Sequence, residues 1–452
     1  VTYTEAETFL FTLPRFAVSG AEAYIPGLDR IDSVLNAMGR PQDSFDSILV
    51  AGTNGKGSTA SMIAAIASAG SYKTGLHTSP HLQFFGERMR VNGVPADQAW
   101  ISNATERYRD VIQNAGASFF EASVALSFLH FAENDVDLAV VEVGLGGRLD
   151  ATKILTQELT VITNVALDHV DILGSTLADI ASEKGGIMRA GTPTLVGTTD
   201  PSVNMVLGDM ADEIGSEFHM LSAEIDLCET PEEGLVIETM RERYGPMEIP
   251  LEGAHHVVHA SLAIRASELI SKKFPLMRPH AVQGIASVVS RSGLRGRMEL
   301  ITRNPNIWLD VAHNPQAIAG ALEIRTGGVT RTSGESVSNI MIGLMADKDI
   351  EGIAKLLALA QTDVTVLGID NSRAVPPKKL AAIFEKLGVH VSDVFISTAE
   401  ALSALMEAQT EALVDESDGQ ESGGVLIIGS HMIVSEALDW WAKNQGDSQN
   451  PC

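Results

Sequence analysis

Residues 48–66, ILVAGTNGKGSTASMIAAI, run from an apolar stretch through a small polar loop into an alanine-rich segment. Ile48-Leu49-Val50 predicts a short buried strand. Gly52, Gly55 and Gly57 allow a tight backbone path. Ser58 and Thr59 suit the cap of a following helix. Such a helix aims free N–H groups and partial positive charge back at the loop, and Lys56 adds a full charge. Strand, loop and helix in this order make a phosphate cradle. The loop departs from the strict G-x-x-x-x-G-K-[ST] pattern. Val50 stands where the first glycine belongs, and Gly57 separates Lys56 from Ser58. The alternative, a glycine-rich turn with a solvated lysine, fits the order of elements less well.

Further strand-like runs lie at 73–78, 137–143, 159–165 and 192–198, alternating with helical stretches such as 95–116 and 123–134. That alternation predicts a mostly parallel sheet with helices on both faces. Ligand sites in such sheets lie just beyond the strand ends. Residues 220–252 read as hairpins, followed by helices across about 257–273 and 278–290. SRSGLRGRMEL, residues 290–300, reads as a basic joint. Beyond it the alternation restarts in NIWLDVAHN, NIMIGLMADKD, VTVLGIDNS and VLIIGSHM. The expected fold is α/β. A P-loop-type, mostly parallel sheet domain spans 1–292, and a smaller Rossmann-like α/β domain spans 293–452. DESDGQESGG, 415–424, reads as a solvated loop.

A chain of 452 residues with 45% hydrophobic residues suits large cores in two or three domains. No run of 18 apolar residues suggests a membrane span. The opening VTYTEAETFLFTLPRF lacks the basic region of a signal peptide. Cys228 and Cys452 do not make a disulfide framework, and Cys452 ends a polar tail. The expectation is a cytoplasmic monomer with no membrane partner. Asp and Glu number 58 against 32 Lys and Arg, a net charge of −26. This argues against a nucleic-acid partner, and any anion site must gather its own local cations. The acidity reads either as solubility or as adaptation to a salty cytoplasm.

Polar clusters follow the strands. Ser79, Pro80 and His81 come first, with Ser79 open to a metal, phosphate or capping role. Glu142 lies among valines in a strand buried on both faces, which is costly unless it is paired or metal-bound. In GLGGRLDAT the glycines do not fit a dinucleotide loop, while Arg148 and Asp150 are candidates for substrate contact. Asp168, His169 and Asp171 end another strand, so Glu142 and His169 can share a Mg²⁺ site. Lys184 follows on a helix, where the plain alternative is a solvated surface lysine. In the second half come Arg297, then Asp310, His313 and Asn314 at a strand end, with Pro315 opening a helix. Substrate or nucleotide contact is favoured there over a metal-hydrolase site.

Together VAGTNGKGST, TSPHL, ERMRVNG, FFEASVALSF, EVGLGGRLDAT, ALDHVDILG, EKGGIM, GRME, LDVAHNP and VLIIGS resemble the folylpolyglutamate synthase/dihydrofolate synthase branch of the Mur ligase superfamily. The similarity covers nearly the whole chain. It implies that Gly55, Lys56, Gly57 and Ser58 hold ATP phosphates. Ser79, Glu142 and His169 match Mg²⁺ ligands. Ser118, Phe119, Phe120 and Glu121, with Leu149, Asp150 and Ala151, match contacts to a folate or dihydropteroate substrate. Lys184 matches a carbamylated lysine. Arg297 and Asp310 match nucleotide contacts, and His313 lies near the incoming L-glutamate. Lys56, Lys184 and His313 are the expected catalytic residues, and K⁺ is a further candidate cation. His259 stands where the family has an Asn that contacts ATP, and His431 where an apolar residue is usual.

The implied reaction phosphorylates a substrate carboxylate with ATP; the glutamate amine then displaces phosphate from the acyl phosphate. Two domains closing on a cleft would exclude water. A Mur-type peptidoglycan ligase is one alternative, but only about 45 residues precede the phosphate loop, too few for a UDP-sugar domain. A non-catalytic nucleotide-dependent switch is another.

Overall fold

The computed structural model describes residues 1–15, 27–230, 234–326, 337–414 and 424–444. Cys452 and the expected loop at 415–424, apart from Gly424, lie outside the described residues. The chain forms two compact units. One comprises Val1–Pro250 and His256–Leu294, the other Leu251–His255 and Arg295–Cys452.

The first unit is built on an eight-stranded sheet. Its strands are β1 (Asp46–Ala51), β2 (Thr74–His77), β3 (Met89–Val91), β4 (Val94–Pro95), β5 (Leu138–Glu142), β6 (Leu159–Ile162), β7 (Thr194–Val196) and β8 (Phe218–Met220). Their order is β4-β3-β2-β5-β1-β6-β7-β8. The run from β2 to β8 is parallel, while β3 and β4 fold back antiparallel at one edge. Every residue of β5 is buried, Glu142 included, as a strand covered on both faces requires. The order β2-β5-β1-β6 leaves the ends of these parallel strands side by side, so the polar stretches after them converge.

The helix Lys56–Ala69 is buried almost throughout. Its alanine and serine side chains let β5 and the short helices Ala281–Ala286 and Val288–Ser292 pack close on it. A Cβ at Gly284 would overlap the Ile66 backbone. The single helix expected at 278–290 is instead a 3-10 turn, Arg278–His280, and these two helices. Ser287 leaves helical geometry between them, at φ −112° and ψ 20°.

The hairpin region forms its own antiparallel sheet of β9 (Ile225–Thr230), β10 (Gly234–Thr239) and β11 (Arg243–Met247). A buried ionic network ties it to the helix Ala254–Leu269. Glu268 accepts from Tyr244 at 2.9 Å, Thr239 at 2.7 Å and Arg265 at 2.8 Å. Arg265 also reaches Glu224 at 2.6 Å.

The second unit carries β12 (Glu299–Arg303), β13 (Asn306–Leu309), β14 (Val337–Ile342), β15 (Asp363–Leu367), β16 (Val391–Phe395) and β17 (Gly424–Ile428), in the order β12-β13-β17-β14-β15-β16. All neighbours pair in parallel except β12 with β13. Trp308, Ile340, Ile342, Val366, Phe384 and Ile428 belong to its core. The expected α/β class, with a large mostly parallel sheet and a second sheet unit, is the observed one. Among the described residues no helix is long and apolar enough to cross a membrane.

Candidate active site

The loop after β1 is shaped by the loop after β6, because those strands are neighbours. Asn164 Oδ1 accepts the Asn54 N–H at 2.8 Å and the Thr53 N–H at 3.2 Å. Thr163 donates its hydroxyl to the Asn54 carbonyl at 2.6 Å. Neither residue figures in the sequence reading; their position just past the strand next to β1 was the available signal. The helix starts earlier than its hydroxyl residues suggest. Gly55 is the N-cap, at φ +76°, and no side chain caps the helix. The Thr59 N–H already bonds the Gly55 carbonyl at 2.9 Å, which places Ser58 inside the first turn, buried. Lys56 folds back so that Nζ donates to the Thr53 carbonyl at 3.1 Å.

His259 lies directly against this loop. A Cβ on Gly55 would overlap its imidazole. Its Nδ1 sits 3.3 Å from Nδ1 of buried His256. One of these nitrogens must carry the proton and the other accept it.

Lys184 is no solvated helix residue. It is 3% exposed, and Nζ donates to the Gly52 carbonyl at 2.8 Å. Burial, and then the charge of Lys56, bring its pKa down to about 7, with Asp168 and Asp150 acting against the shift. The charges of three loops therefore meet around this amine. His169 adopts φ 50° at the start of the turn Val170–Leu173. Its Nε2 is 3.9 Å from Asp168 Oδ1.

Glu142 is buried at the end of β5 and accepts the Ser79 N–H at 2.9 Å. Ser79 is thereby brought to the carboxylate from the end of β2. Among the described residues no three His, Cys, Asp or Glu side chains are grouped to hold a metal. A Mg²⁺ ion bridging substrate phosphates needs only one or two carboxylates and otherwise takes water. A buried carboxylate beside a serine fits that demand.

Asp150 shapes the loop after β5. One carboxylate oxygen accepts the N–H groups of Gly144 and Leu145, the other the N–H and hydroxyl of Thr152. Burial raises its pKa, against these hydrogen bonds. Leu149 precedes it, and Ala151, buried, starts the turn Ala151–Ile154. Arg148 is held by Glu183 at 2.7 Å. Phe120 covers Gly144, where any Cβ would overlap its ring, and lies edge-on to His77 at 6.2 Å.

Ser118 and Glu121 form a capping box for the helix Phe119–Glu133. Ser118 donates to Glu121 at 2.7 Å, and the Glu121 N–H returns to Ser118 at 3.2 Å. Arg30 pairs with the same carboxylate at 3.1 Å. The S-x-x-E spacing before an apolar run is the signature of that box, a signal the sequence reading passed over. Phe119 is buried and joins Phe11 and Phe85 in an aromatic group.

In the second unit Asp310 is buried and accepts the N–H groups of Met298 at 2.9 Å and Ala312 at 2.8 Å. Burial raises its pKa, with Arg297 and His255 opposing the shift. Burial lowers the pKa of His255, against the pull of Asp310. His313 Nδ1 is 2.8 Å from the Val311 carbonyl, so Nδ1 carries the proton. Its ring is 5.6 Å from that of His431. Asn314 caps the helix Pro315–Thr326 through the Ala317 N–H at 2.9 Å.

Residues 50–266 match the Mur ligase middle domain, and residues 296–415 match the Mur ligase glutamate ligase domain. A folylpolyglutamate synthase of Lacticaseibacillus casei is 31% identical over 397 residues, covering 85% of this chain and 89% of its own. A Mycobacterium tuberculosis folylpolyglutamate synthase complexed with ADP has a TM-score of 0.83 at 28% identity, with 99% of each chain covered. An Escherichia coli FolC structure in complex with DHPP and ADP has a TM-score of 0.80 at 26% identity, again covering 99% of each chain. With its loop geometry, its two units and these matches along almost its whole length, the chain belongs to the folylpolyglutamate synthase/dihydrofolate synthase family of Mur ligases.

Proposed function

We propose that this protein is an ATP-dependent ligase that joins L-glutamate to the carboxylate of a folate or of dihydropteroate through an acyl phosphate. The observation that carries the reading is the glycine-rich loop after β1, with Lys56 at the start of the long buried helix that follows it. It concentrates positive charge and backbone N–H groups on one small volume in a chain of net charge −26. That is what a nucleoside triphosphate needs here.

Residues 1–292 act as the ATP-binding domain and 293–452 as the glutamate ligase domain. Gly55, Lys56, Gly57 and Ser58 cradle the phosphates, and His259 lies beside them. Phe119, Phe120 and the backbone of Leu149–Ala151 receive the substrate, while Ser118 and Glu121 fix the helix that presents the two rings. Arg297 and Asp310 contact the nucleotide, and His313 orients the incoming amine. Ser79, Glu142 and His169 would hold Mg²⁺, which when bound offsets phosphate charge. Carbamylated Lys184 adds an anion on that side, and K⁺ is the monovalent cation of choice. Lys56 stabilises the negative charge that develops on the transferred phosphoryl group. The enzyme works as a cytoplasmic monomer.

The test is ADP and phosphate release from ATP with dihydropteroate or tetrahydrofolate, with and without L-glutamate. Turnover that needs both acid and amine supports the ligase. Nucleotide binding with no turnover on either acid would replace it with a nucleotide-dependent switch. Comparing the two acids tells whether one or both activities are present.

A further inference from the structure

Among the described residues two arginines are buried, Arg88 and Arg265, and Arg88 makes no ion pair there. It ends the 3-10 turn Phe85–Arg88 beyond β2 and is 6% exposed. Buried Arg265 meets two carboxylates, at 2.6 and 2.8 Å. Among the described residues the Arg88 side chain makes one hydrogen bond, from Nε to Nδ1 of His81 at 2.8 Å. Its neighbour Glu87 is already engaged, accepting the N–H groups of Leu82 at 2.8 Å and Gln83 at 3.1 Å.

His81 accepts the Arg88 N–H on Nδ1 and therefore carries its proton on Nε2. The guanidinium also lies over Phe119, with Cζ 4.9 Å from the ring centroid. His81 stacks on Phe11 with 22° between the planes, and Phe11 touches Phe119 at 5.5 Å. Orientation is thus set from two sides. Burying a charge without an opposite partner is unfavourable, and a guanidinium fork matches a carboxylate with two parallel hydrogen bonds.

We infer that Arg88 is the residue that recognises the carboxylate of an aromatic acid substrate, with Phe119, Phe11 and His81 as the aromatic wall beside it. This rests on the ligase reading and names a contact within it. A benzoate-type carboxylate, as in dihydropteroate, meets both halves of the site. Its charge faces the fork and its ring faces the aromatic groups. Glu142 ends β5, the strand paired with β1, so it stands next to the strand that leads into the phosphate loop, and it is among the acids whose charge Arg88 feels.

The experiment compares dihydropteroate with its carboxamide, titrated calorimetrically without ATP into the intact protein and into Arg88→Gln and Arg88→Lys. The wild type should bind the acid at least tenfold more tightly than the amide. Arg88→Gln should lose that preference. Arg88→Lys, which keeps the charge and the fold if Gln does not, should raise the KM for the acid at least tenfold and leave the KM for ATP within about twofold. Equal binding of acid and amide by the wild type overturns the assignment, as does an unchanged KM for the acid in Arg88→Lys. Wild-type glutamate ligation alongside either result removes Arg88 alone; no ligation by the wild type removes the ligase reading with it.

Discussion

Lys184 Nζ donates to the carbonyl of Gly52 at 2.8 Å, across 132 positions of sequence. The bond ties the helix Leu177–Gly185 to the first residue of the phosphate loop. It holds the amine where burial and Lys56 bring its pKa down to about 7. Carbamylation needs a neutral amine, so this lysine is chemically prepared for it. Intact-mass or crystallographic measurement in bicarbonate buffer should show the carbamate. Lys184→Ala should lose most activity, and a short-chain carboxylic acid should restore part of it. Full activity of the alanine variant without any additive would falsify the role.

The same shift carries a pH signature. The native pKa, about 7, is below the ordinary 10.5. Between those values the unfolded chain binds more protons than the native one, so stability rises with pH across that window. Below it the cost of holding a buried ammonium is fully present. Lys184→Met should flatten the dependence of Tm on pH between 7 and 10. A slope equal to that of the wild type would mean that the amine is not what titrates.

Lys56 contributes charge and no core packing. Lys56→Ala should therefore keep its Tm while kcat falls by at least ~10²-fold, the scale of removing one preorganised electrostatic group. Near-normal turnover would sink the phosphate-loop assignment.

Gly55 cannot be replaced. Its φ of +76° disfavours any side chain, and a Cβ would overlap the His259 ring. Gly55→Ala should abolish nucleotide binding. Adding His259→Gly removes the overlap but not the backbone strain of ~1–2 kcal/mol, so the double variant should recover binding only in part. Complete recovery would show that backbone conformation is immaterial there.

Glu268 is wholly buried and holds Tyr244, Thr239 and Arg265. Glu268→Ala leaves the Arg265 charge with Glu224 alone and should cost ~3–5 kcal/mol, the scale for breaking a buried ion pair. Urea unfolding reads this directly. A loss below about 1 kcal/mol, the range of exposed pairs, would show that the network is not what anchors the small sheet.

The net charge of −26 should make both Tm and activity rise with KCl, since roughly 0.1 M salt screens repulsion beyond about 10 Å. A Tm that falls steadily from low to molar KCl contradicts this.

Much of this protein is legible in its order of residues. Strand, glycine loop and helix at 48–66 declare the cradle, because each depends on neighbours a few positions away. The alternation of apolar runs likewise declares a layered sheet and its restart after residue 290, because periodicity is a local property. The S-x-x-E box at 118–121 was equally local. Other features are decided by contacts between distant segments. A lysine on a helix has the same local pattern whether it faces solvent or, like Lys184, the carbonyl of Gly52. Nothing near His259 in the chain announces that it rests on Gly55. Arg88 reads as one basic residue in ERMRVNG until Phe119, 31 positions on, becomes its floor and no carboxylate among the described residues closes on its fork. Sequence determines which elements form and in what order. Burial, pairing and the charge left unanswered are fixed only when the sheet brings the strand ends together, because solvation and Coulomb energies depend on distance in space.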